Sequence, residues 1–248
     1  MGYVFEFKEA RLFERLINEP RYRSEADRET NLMLSMLQPS REESVLEIGC
    51  GTGDRLAPLL DIGVNVTGLD PSPYMLDMSF KKLGQRVDLY RGYAEDLPFD
   101  DNSFNHAFFM TSLEFVENPQ KAIEEACRVA KDRLFLGVLN RYAIKGVQRR
   151  VAGIFSETIF NHARFFGIWE LRRMIRATAG AVPLTWRTVN QIPMGCGSFS
   201  QNFEQSKFVQ RCPFGAFVGM LVTLVPLFRT RPLAIRYQAE QTSGMATS

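Results

Sequence analysis

The stretch that decides the fold is VLEIGCGTGD, residues 45–54. It begins with apolar residues, as a buried strand does, and continues into a turn in which Gly49, Gly51 and Gly53 alternate with other residues. Glycines spaced in this way let the backbone approach a ligand closely, because no Cβ stands between them. The stretch therefore predicts a strand, a tight turn and a ligand at that turn.

Two phosphate-binding motifs fail at this turn. A P-loop requires Gly-Lys-Ser/Thr after its spacer, but Gly53 is followed by Asp54 and Arg55. The dinucleotide fingerprint G-x-G-x-x-G requires a glycine where Asp54 stands, and a carboxylate at that position is unfavourable beside a pyrophosphate. The turn therefore favours a ligand that presents no phosphate to it.

Strands and helices alternate on the C-terminal side of this stretch. The predicted elements are two helices within 5–37 broken near Pro20, strands at 44–48, 64–69, 87–91, 104–110 and 134–139, helices at 55–61, 73–83 and 119–130, and then a helix at 168–178 and strands at 184–189 and 214–223. Apolar strands that alternate with helices indicate a parallel sheet with both faces covered. Ligands of such sheets bind beyond the carboxyl ends of the strands.

This order predicts an α/β fold, with a Rossmann-like, mostly parallel seven-stranded sheet, helices on both faces and an antiparallel C-terminal edge strand. The predicted organisation is an N-terminal helical cap (1–43), a cofactor-binding core (44–140), a substrate or lid insertion with its helix (141–183), C-terminal strands of the same sheet (184–240) and a tail (241–248).

Two further features accompany the glycine turn. Glu47 precedes the first glycine, and Asp70 follows at the end of the next predicted strand, where a carboxylate can accept hydrogen bonds from both hydroxyls of a ribose. Asp70 could alternatively cap the helix that follows, since Pro71 suits a first helical position. The third feature is GYAEDLPFDDNSFN, residues 92–105, a loop whose backbone can read the edge of an adenine.

This trio resembles the class I S-adenosylmethionine-dependent methyltransferases, and within them the group that includes the ubiquinone and menaquinone C-methyltransferases. The resemblance covers residues 44–140. It implies S-adenosylmethionine as the cofactor and a transferase activity, and it implies that the cofactor is bound by Glu47, Gly49, Gly51, Gly53, Asp70, Pro71, Ser72, Met75, Tyr93, Ala94, Glu95, Met110 and Thr111.

Some of these positions depart from the pattern of the family. Tyr93 stands where the family usually has Asp or Asn, so Glu95 or Asp96 is the substitute for side-chain recognition of the adenine amine, and Tyr93 could serve packing alone. The segment SLEFVENP, residues 112–119, lacks the histidine of some relatives. Glu114 is the ionisable group left there, either as a base or as a solvated residue. Glu47 could be an ordinary exposed acid.

Methyl transfer from a sulfonium is an in-line displacement that needs alignment of the acceptor and exclusion of water, and it needs a base only if the acceptor must lose a proton. No strong base constellation is present, so the catalytic residues stay unassigned, with Glu114, His162 and Tyr22 as weak candidates. Aromatic rings can stabilise a sulfonium by cation–π interaction. The candidates are Tyr3, Phe5, Tyr22, Phe115, Tyr142 and Phe165.

The acceptor should be bound outside the resemblance, by residues 3–23 and by the basic and aromatic insertion at 141–167. We expect a small apolar or amphiphilic acceptor with an anionic group near Arg149 and Arg150. The uncharged run CPFGAFVGMLVTLVPLF, residues 212–228, predicts a buried strand, with peripheral membrane or lipid contact as the alternative.

Composition narrows the remaining classes. The net charge of +2 over 248 residues does not suggest nucleic acid as a partner, although a nucleic-acid or protein methyltransferase and a non-catalytic cofactor-binding protein stay open as alternatives. The four cysteines have no CxxC spacing and only two histidines occur, so no metal site is predicted. The N-terminus lacks the apolar core of a signal peptide, and the predicted location is the cytoplasm. The sequence does not predict an oligomeric state.

Overall fold

The computed structural model describes residues 2–143, 162–191 and 210–225. Residues 144–161 of the predicted insertion, including Arg149 and Arg150, lie outside these residues, as does the predicted tail. The N-terminal helices are α1, Phe7–Asn18, and α2, Pro20–Leu37. They separate at Pro20, as predicted, because proline has no amide hydrogen for a helix interior but suits the first position of a new helix.

The predicted alternation of strands and helices is present, with small differences at the ends of the elements. The further helices are α3, Ala57–Ile62; α4, Pro73–Leu83; α5, Pro119–Val129; and α6, Ile168–Ala179. The strands are β1, Ser44–Ile48; β2, Asn65–Asp70; β3, Asp88–Arg91; β4, Phe104–Met110; β5, Ala130–Leu139; β6, Leu184–Val189; and β7, Phe217–Thr223.

The largest difference is the start of β5, which begins at Ala130 instead of 134. The backbone turns extended at Ala130, directly after the last residue of α5. Lys131, Asp132 and Arg133 then occupy the first positions of the strand. An apolar pattern cannot detect a strand that starts with three charged residues, which explains the late prediction.

The seven strands form one sheet in the order β3-β2-β1-β4-β5-β7-β6. The strands β1 to β5 pair in parallel with one another, and β7 runs antiparallel to both β5 and β6. The predicted fold class is therefore confirmed. The antiparallel strand β7 lies between β5 and β6, and β6 occupies the edge of the sheet.

Both faces of the sheet are buried, as the apolar strands predict. Leu46 and Ile48 of β1 belong to a core that includes residues of α5 and α6, whereas Val45 belongs to a second core that includes Met33 and Leu37 of α2. Successive side chains of a strand point to opposite faces, so one short strand contributes to both cores. This leaves the carboxyl ends of the parallel strands as the edge where a ligand can reach the backbone.

The apolar run at 212–228 contains β7, whose residues from Phe217 to Met220 are buried. The prediction of a buried strand is thus confirmed for that part, and residues 226–228 lie outside the described part of the chain. No helix among the described residues is long and apolar enough to cross a membrane.

Candidate functional site

A cavity of about 810 Å³ opens at the carboxyl ends of β1, β2 and β4. Of the thirteen residues predicted to bind the cofactor, all except Ser72 line it: Glu47, Gly49, Gly51, Gly53, Asp70, Pro71, Met75, Tyr93, Ala94, Glu95, Met110 and Thr111. Ser72 is fully buried and caps α4, accepting a hydrogen bond of 3.4 Å from the Met75 amide. The structure therefore brings the predicted set together at one site.

The glycine loop, residues 49–53, owes its shape to backbone angles that other residues rarely adopt. Gly49, Gly51 and Gly53 have φ values of 77°, 50° and 77°. A Cβ on Gly49 would lie 2.4 Å from the Cβ of Ser112, so this glycine is needed for packing. A Cβ on Gly51 would meet only the Met75 sulfur, at 4.0 Å, so the space in front of Gly51 belongs to the cavity.

Asp70 fixes the relation between the glycine loop and the start of α4. Its Oδ2 accepts a hydrogen bond of 2.9 Å from the Gly51 amide, and its Oδ1 accepts one of 2.9 Å from the Ser72 amide. Burial raises the pKa of Asp70 to about 6, against the effect of these two bonds, which lower it. Asp70 does not cap α4, because Ser72 does so.

Glu47 lies at the other end of the glycine loop and is 1% exposed. The alternative of an exposed acid is therefore wrong. Its Oε2 has no hydrogen-bond partner among the described residues, and burial raises the pKa of Glu47 well above its usual range. A buried carboxyl without a partner is costly, so a cationic or hydrogen-bond-donating ligand in the cavity would stabilise this side chain.

The loop after β3 forms the next wall, with Tyr93, Ala94 and Glu95 on the cavity. One oxygen of Glu95, Oε1, accepts hydrogen bonds from the amides of Glu117 and Asn118 at 3.1 and 3.2 Å. These bonds hold the loop against the start of α5. Glu95 was predicted to recognise the adenine amine in place of the usual Asp or Asn. One of its oxygens also holds this loop to the start of α5, a structural role that the sequence did not predict.

A segment from the N-terminal region that the sequence predicted to bind the acceptor, residues 2–6, also lines this cavity through Gly2, Tyr3, Val4 and Phe5; we call it the strap. The Tyr3 amide donates a hydrogen bond of 2.9 Å to the Phe115 carbonyl, and the Ser72 hydroxyl donates one of 2.6 Å to the Phe5 carbonyl. Tyr3, Phe5, Phe13 and Phe115 form a cluster of ring contacts on the cavity wall. These rings give one side of the cavity an apolar, aromatic surface.

The weak catalytic candidates lie away from the described cavity walls. Glu114 is 2% exposed, so the expectation of a solvated side chain is wrong, and its Oε1 accepts a hydrogen bond of 2.6 Å from the Leu139 amide. Burial raises the pKa of Glu114 to about 8. His162 is exposed and stacks on Tyr3 with ring centroids 4.2 Å apart, and Tyr22 is half-buried on α2. Their catalytic roles stay predictions.

Of the six aromatic residues considered for a sulfonium, only Tyr3, Phe5 and Phe115 are on the described cavity wall. Tyr142 is 52% exposed and Phe165 is buried.

The sequence also did not predict a salt bridge that joins Arg55, two residues beyond the glycine loop, to α2. Arg55 forms a salt bridge of 3.0 Å with Glu29 and donates a hydrogen bond of 2.7 Å to the Thr30 hydroxyl. The Asn190 side-chain amide, just beyond β6, donates to the other oxygen of Glu29 at 3.1 Å. Residues so far apart in the chain leave no local signal, and only the fold brings them together.

Comparison with known proteins agrees with this geometry. Residues 46–135 match the family model of the methyltransferase domain. An uncharacterized methyltransferase of Mycobacterium bovis is 36% identical over 106 residues, which cover 43% of this chain and 43% of that protein. A demethylmenaquinone methyltransferase of Chlorobaculum tepidum is 32% identical over 138 residues, which cover 50% of this chain and 57% of that protein. The chain thus matches about half the length of these curated relatives.

A solved structure from Thermotoga maritima is similar over a longer part of the chain. It is described as a SAM-dependent methyltransferase and possible histamine N-methyltransferase, and it is 28% identical with a TM-score of 0.58. The similarity covers 82% of this chain and 96% of that one. These matches confirm the resemblance that the sequence predicts, and the family model includes the glycine loop, Asp70 and Thr111.

Proposed function

We propose that the chain transfers a methyl group from S-adenosylmethionine to a small apolar or amphiphilic acceptor, since residues 46–135 match the family model of the methyltransferase domain. The observation that carries the proposal is the placement of Glu47 and Asp70 on one cavity, at either end of the glycine loop. Two carboxyls on one cavity would suit a ligand that carries an ammonium and a ribose diol, as this cofactor does.

The residues present fit this cofactor. The unpartnered Oε2 of Glu47 can accept a hydrogen bond from the ammonium of the amino-acid end. Each carboxylate oxygen of Asp70 accepts one hydrogen bond from a backbone amide and can still accept another from a ribose hydroxyl. The open space in front of Gly51 lets the ligand approach the backbone. S-adenosylmethionine, the cofactor predicted from the sequence, is thus the ligand that the site and the family support.

The sulfonium of the cofactor supplies an activated methyl group, so the residues of the chain have to align the acceptor and exclude water. Met110 and Thr111 at the end of β4 line the same cavity as the aromatic residues of the strap. Tyr3 is a poor base, because burial, and a hydrogen bond to Glu9, raise the pKa of its phenol to about 12. We infer that catalysis depends mainly on positioning.

An apolar or amphiphilic acceptor is supported by the wall of Tyr3, Phe5, Phe13 and Phe115. Aromatic side chains provide large apolar contact areas and stack on planar rings. The relatives that are named demethylmenaquinone methyltransferases support the same kind of acceptor. The predicted peripheral contact with membrane lipid stays a prediction that rests on the sequence alone.

The first test is calorimetric titration of the purified chain with S-adenosylhomocysteine, with NAD in parallel, repeated on Asp70→Ala. We expect binding of S-adenosylhomocysteine alone, weakened at least about 10-fold in the variant, because charge-assisted hydrogen bonds to the ribose are lost. Asp77→Ala, which removes an exposed carboxylate of α4, is the matched control and should bind as the wild type does.

Absence of S-adenosylhomocysteine binding to folded wild-type chain would refute the proposal, and binding of NAD instead would indicate an oxidoreductase. The acceptor is tested separately, by incubating the chain with S-adenosylmethionine and either quinols and phenols with alkyl tails or small polar amines. Methylation of the amines alone would contradict the proposed acceptor class while leaving the proposed reaction intact.

A further inference from the structure

Three aromatic side chains outside the cavity are exposed near the carboxyl end of β5: Tyr142, Trp169 and Phe214, at 52%, 61% and 59%. Asn140, fully buried directly after β5, holds two of them together. Its Oδ1 accepts a hydrogen bond of 3.1 Å from the Tyr142 amide, and its Nδ2 donates to the carbonyls of the two residues that flank Phe214, at 2.7 and 2.8 Å. Tyr142 and Phe214 therefore lie on one surface of the chain.

Trp169 belongs to the same surface. The Tyr142 ring lies against Gly167, where an added Cβ would approach the ring to 2.8 Å, and Gly167 is the residue before α6. Trp169 is the second residue of α6. We call Tyr142, Trp169 and Phe214 the aromatic patch. Single exposed rings are ordinary on a protein surface, but a group of them indicates a binding surface.

Cationic side chains adjoin the aromatic patch along α6. The helix buries Ile168, Leu171 and Ile175. Trp169, Arg173 and Arg176 are exposed, and their helical spacing places them along one side of α6, away from its buried face. Neither arginine forms an ion pair or a hydrogen bond with another described residue. This side of α6 therefore presents a tryptophan and two available positive charges to the solvent.

Nearby acids do not neutralise these charges. Glu170, the acid of α6, forms salt bridges with Arg141 at 2.9 Å and with Arg164 at 2.7 Å. The acids of α5 lie on the other flank of α6, because a hydrogen bond of 2.6 Å from Gln120 to the Thr178 hydroxyl joins α5 to that flank. The described residues around the aromatic patch thus carry a net positive charge.

The aromatic patch lies at the same edge of the sheet as the cavity. The strand β5 is parallel to β4, so the two carboxyl ends share the edge where the cavity opens. His162 stacks on Tyr3 of the strap. The Arg164 amide donates a hydrogen bond of 2.8 Å to the Glu114 carbonyl, next to Phe115 of the cavity wall. The segment that leads into α6 therefore connects the aromatic patch to the cavity.

We propose that the aromatic patch and the exposed side of α6 bind an anionic lipid surface. Tryptophan and tyrosine favour the boundary between water and lipid, where the ring enters an apolar phase and the polar atom stays hydrated. Arginines beside them attract anionic headgroups. Phe214 has no polar side-chain atom, which favours an apolar phase over the phosphates of a nucleic acid.

This surface differs from the apolar run at 212–228, because β7, the strand of that run, is largely buried and only Phe214, which precedes it, belongs to the aromatic patch. A chain docked in this way would hold the cavity beside the lipid, so an apolar acceptor could pass from one to the other. Lipid binding itself requires neither cofactor nor turnover, and it is therefore tested separately from the proposed function.

The test is flotation of the full chain with vesicles of phosphatidylcholine alone or of equal parts phosphatidylcholine and phosphatidylglycerol. We expect binding to the anionic vesicles to be at least about 10-fold tighter than to the neutral ones, and to weaken as salt is added, because salt screens the headgroup charge. The emission of Trp169 should shift to shorter wavelength on binding. This shift is measured in Trp186→Phe, because the chain has two tryptophans.

Trp169→Ser and the double variant Arg173→Gln/Arg176→Gln should each weaken binding to anionic vesicles about 10-fold, by removing a ring that enters the lipid or two charges that face it. All three side chains are exposed, so the variants should fold. Phe80→Ser and Lys81→Gln are the matched controls, since both residues are exposed on α4, which packs on β3 at the opposite edge of the sheet. Both controls should bind as the wild type does.

Equal binding to both kinds of vesicle, or binding to neither, would overturn the inference. A loss in Phe80→Ser as large as that in Trp169→Ser would also overturn it. Quenching of Trp169 by single-stranded RNA, without binding to vesicles, would replace lipid by nucleic acid as the partner. None of these results affects the proposed function, which depends on the titration with S-adenosylhomocysteine.

Discussion

Glu114 shows how burial alone can change the charge of a side chain. It sits in a 3₁₀ turn at Leu113–Phe115, directly after β4, and its Oε1 accepts a hydrogen bond from the Leu139 amide at the end of β5. The other oxygen, Oε2, has no partner within the described structure. Burial raises the pKa of Glu114 to about 8, so the carboxyl is protonated at neutral pH and acts as a neutral link between two strands.

This pKa makes stability depend on pH. The folded pKa of about 8 lies above the ordinary value of 4.5, so the folded chain binds the proton more tightly than the unfolded chain. The contribution of Glu114 to stability is therefore complete below about pH 4.5 and is lost as the pH rises towards 8. Glu114→Gln cannot ionise at this position. Between pH 5 and 8.5, the free energy of unfolding of the wild type should therefore fall by up to about 4 kcal/mol more than that of Glu114→Gln.

Urea unfolding of both proteins at several pH values measures this difference. Glu117→Gln, an exposed acid of the same segment, is the control and should follow the wild type. Parallel pH curves for the wild type and Glu114→Gln would mean that Glu114 is ionised in the folded chain at neutral pH.

Glycine is needed in the glycine loop for two reasons, close packing at Gly49 and space for the ligand at Gly51. A single substitution at each position tests them separately. Gly49 and Gly51 both have positive φ, but only Gly49 is closely packed, against Ser112. Gly49→Ala should therefore destabilise the fold by about 3 kcal/mol or more, since a clash is added to the backbone strain. Gly51→Ala should cost only about 1–2 kcal/mol for the strain, yet weaken S-adenosylhomocysteine binding at least about 10-fold by filling ligand space.

Thermal unfolding and calorimetric titration on the same samples test the pair. Gly84→Ala provides the control, because Gly84 also has positive φ (61°) but lies away from the described cavity, and an added Cβ there would meet nothing within 4 Å. Unchanged ligand affinity in Gly51→Ala would show that the space in front of this glycine is not used by the cofactor.

The central part of the molecule could be predicted because its signals are local. The apolar run of β1, the alternating glycines and Asp70 lie within 26 residues, positions 45–70, and parallel strands align their carboxyl ends without further information. The thirteen residues predicted to bind the cofactor therefore lie together at one site, with only Ser72 absent from the cavity wall. Element ends were less accurate where charged residues begin a strand, as in β5.

Contacts between distant parts of the chain were not predictable in the same way. The hydrogen bond from Ser72 to the Phe5 carbonyl joins residues 67 positions apart, and the bond from Asn190 to Glu29 spans 161 positions. Ser72 belongs to the predicted cofactor set, but a hydroxyl or amide gives no hint of its partner. Such contacts depend on how α2 and the strap pack on the finished sheet.

The link between α2, the glycine loop and the end of β6 is the feature that connects the most distant parts of the molecule. Glu29 is central to it, because one carboxylate oxygen receives Arg55 and the other receives Asn190. The Arg55 and Glu29 side chains are only 17% and 9% exposed. Loss of Glu29 would therefore leave Nη2 of a nearly buried guanidinium and a buried amide without this acceptor, which costs more than an ordinary surface ion pair does.

We expect Glu29→Ala to lower the free energy of unfolding by about 3–5 kcal/mol, the range for removing one partner of a buried ion pair. Asp27→Ala, on the same helix but exposed, should change it by less than about 0.5 kcal/mol. Urea unfolding gives both values, and hydrogen exchange of the amides at 49–55 should accelerate in Glu29→Ala, since Arg55 loses its ion pair and keeps only its hydrogen bonds to Thr30 and Ala26 of α2. A cost below about 1 kcal/mol, with unchanged exchange, would mean that the apolar contacts of α2 with β5 and β7 hold the glycine loop without this link.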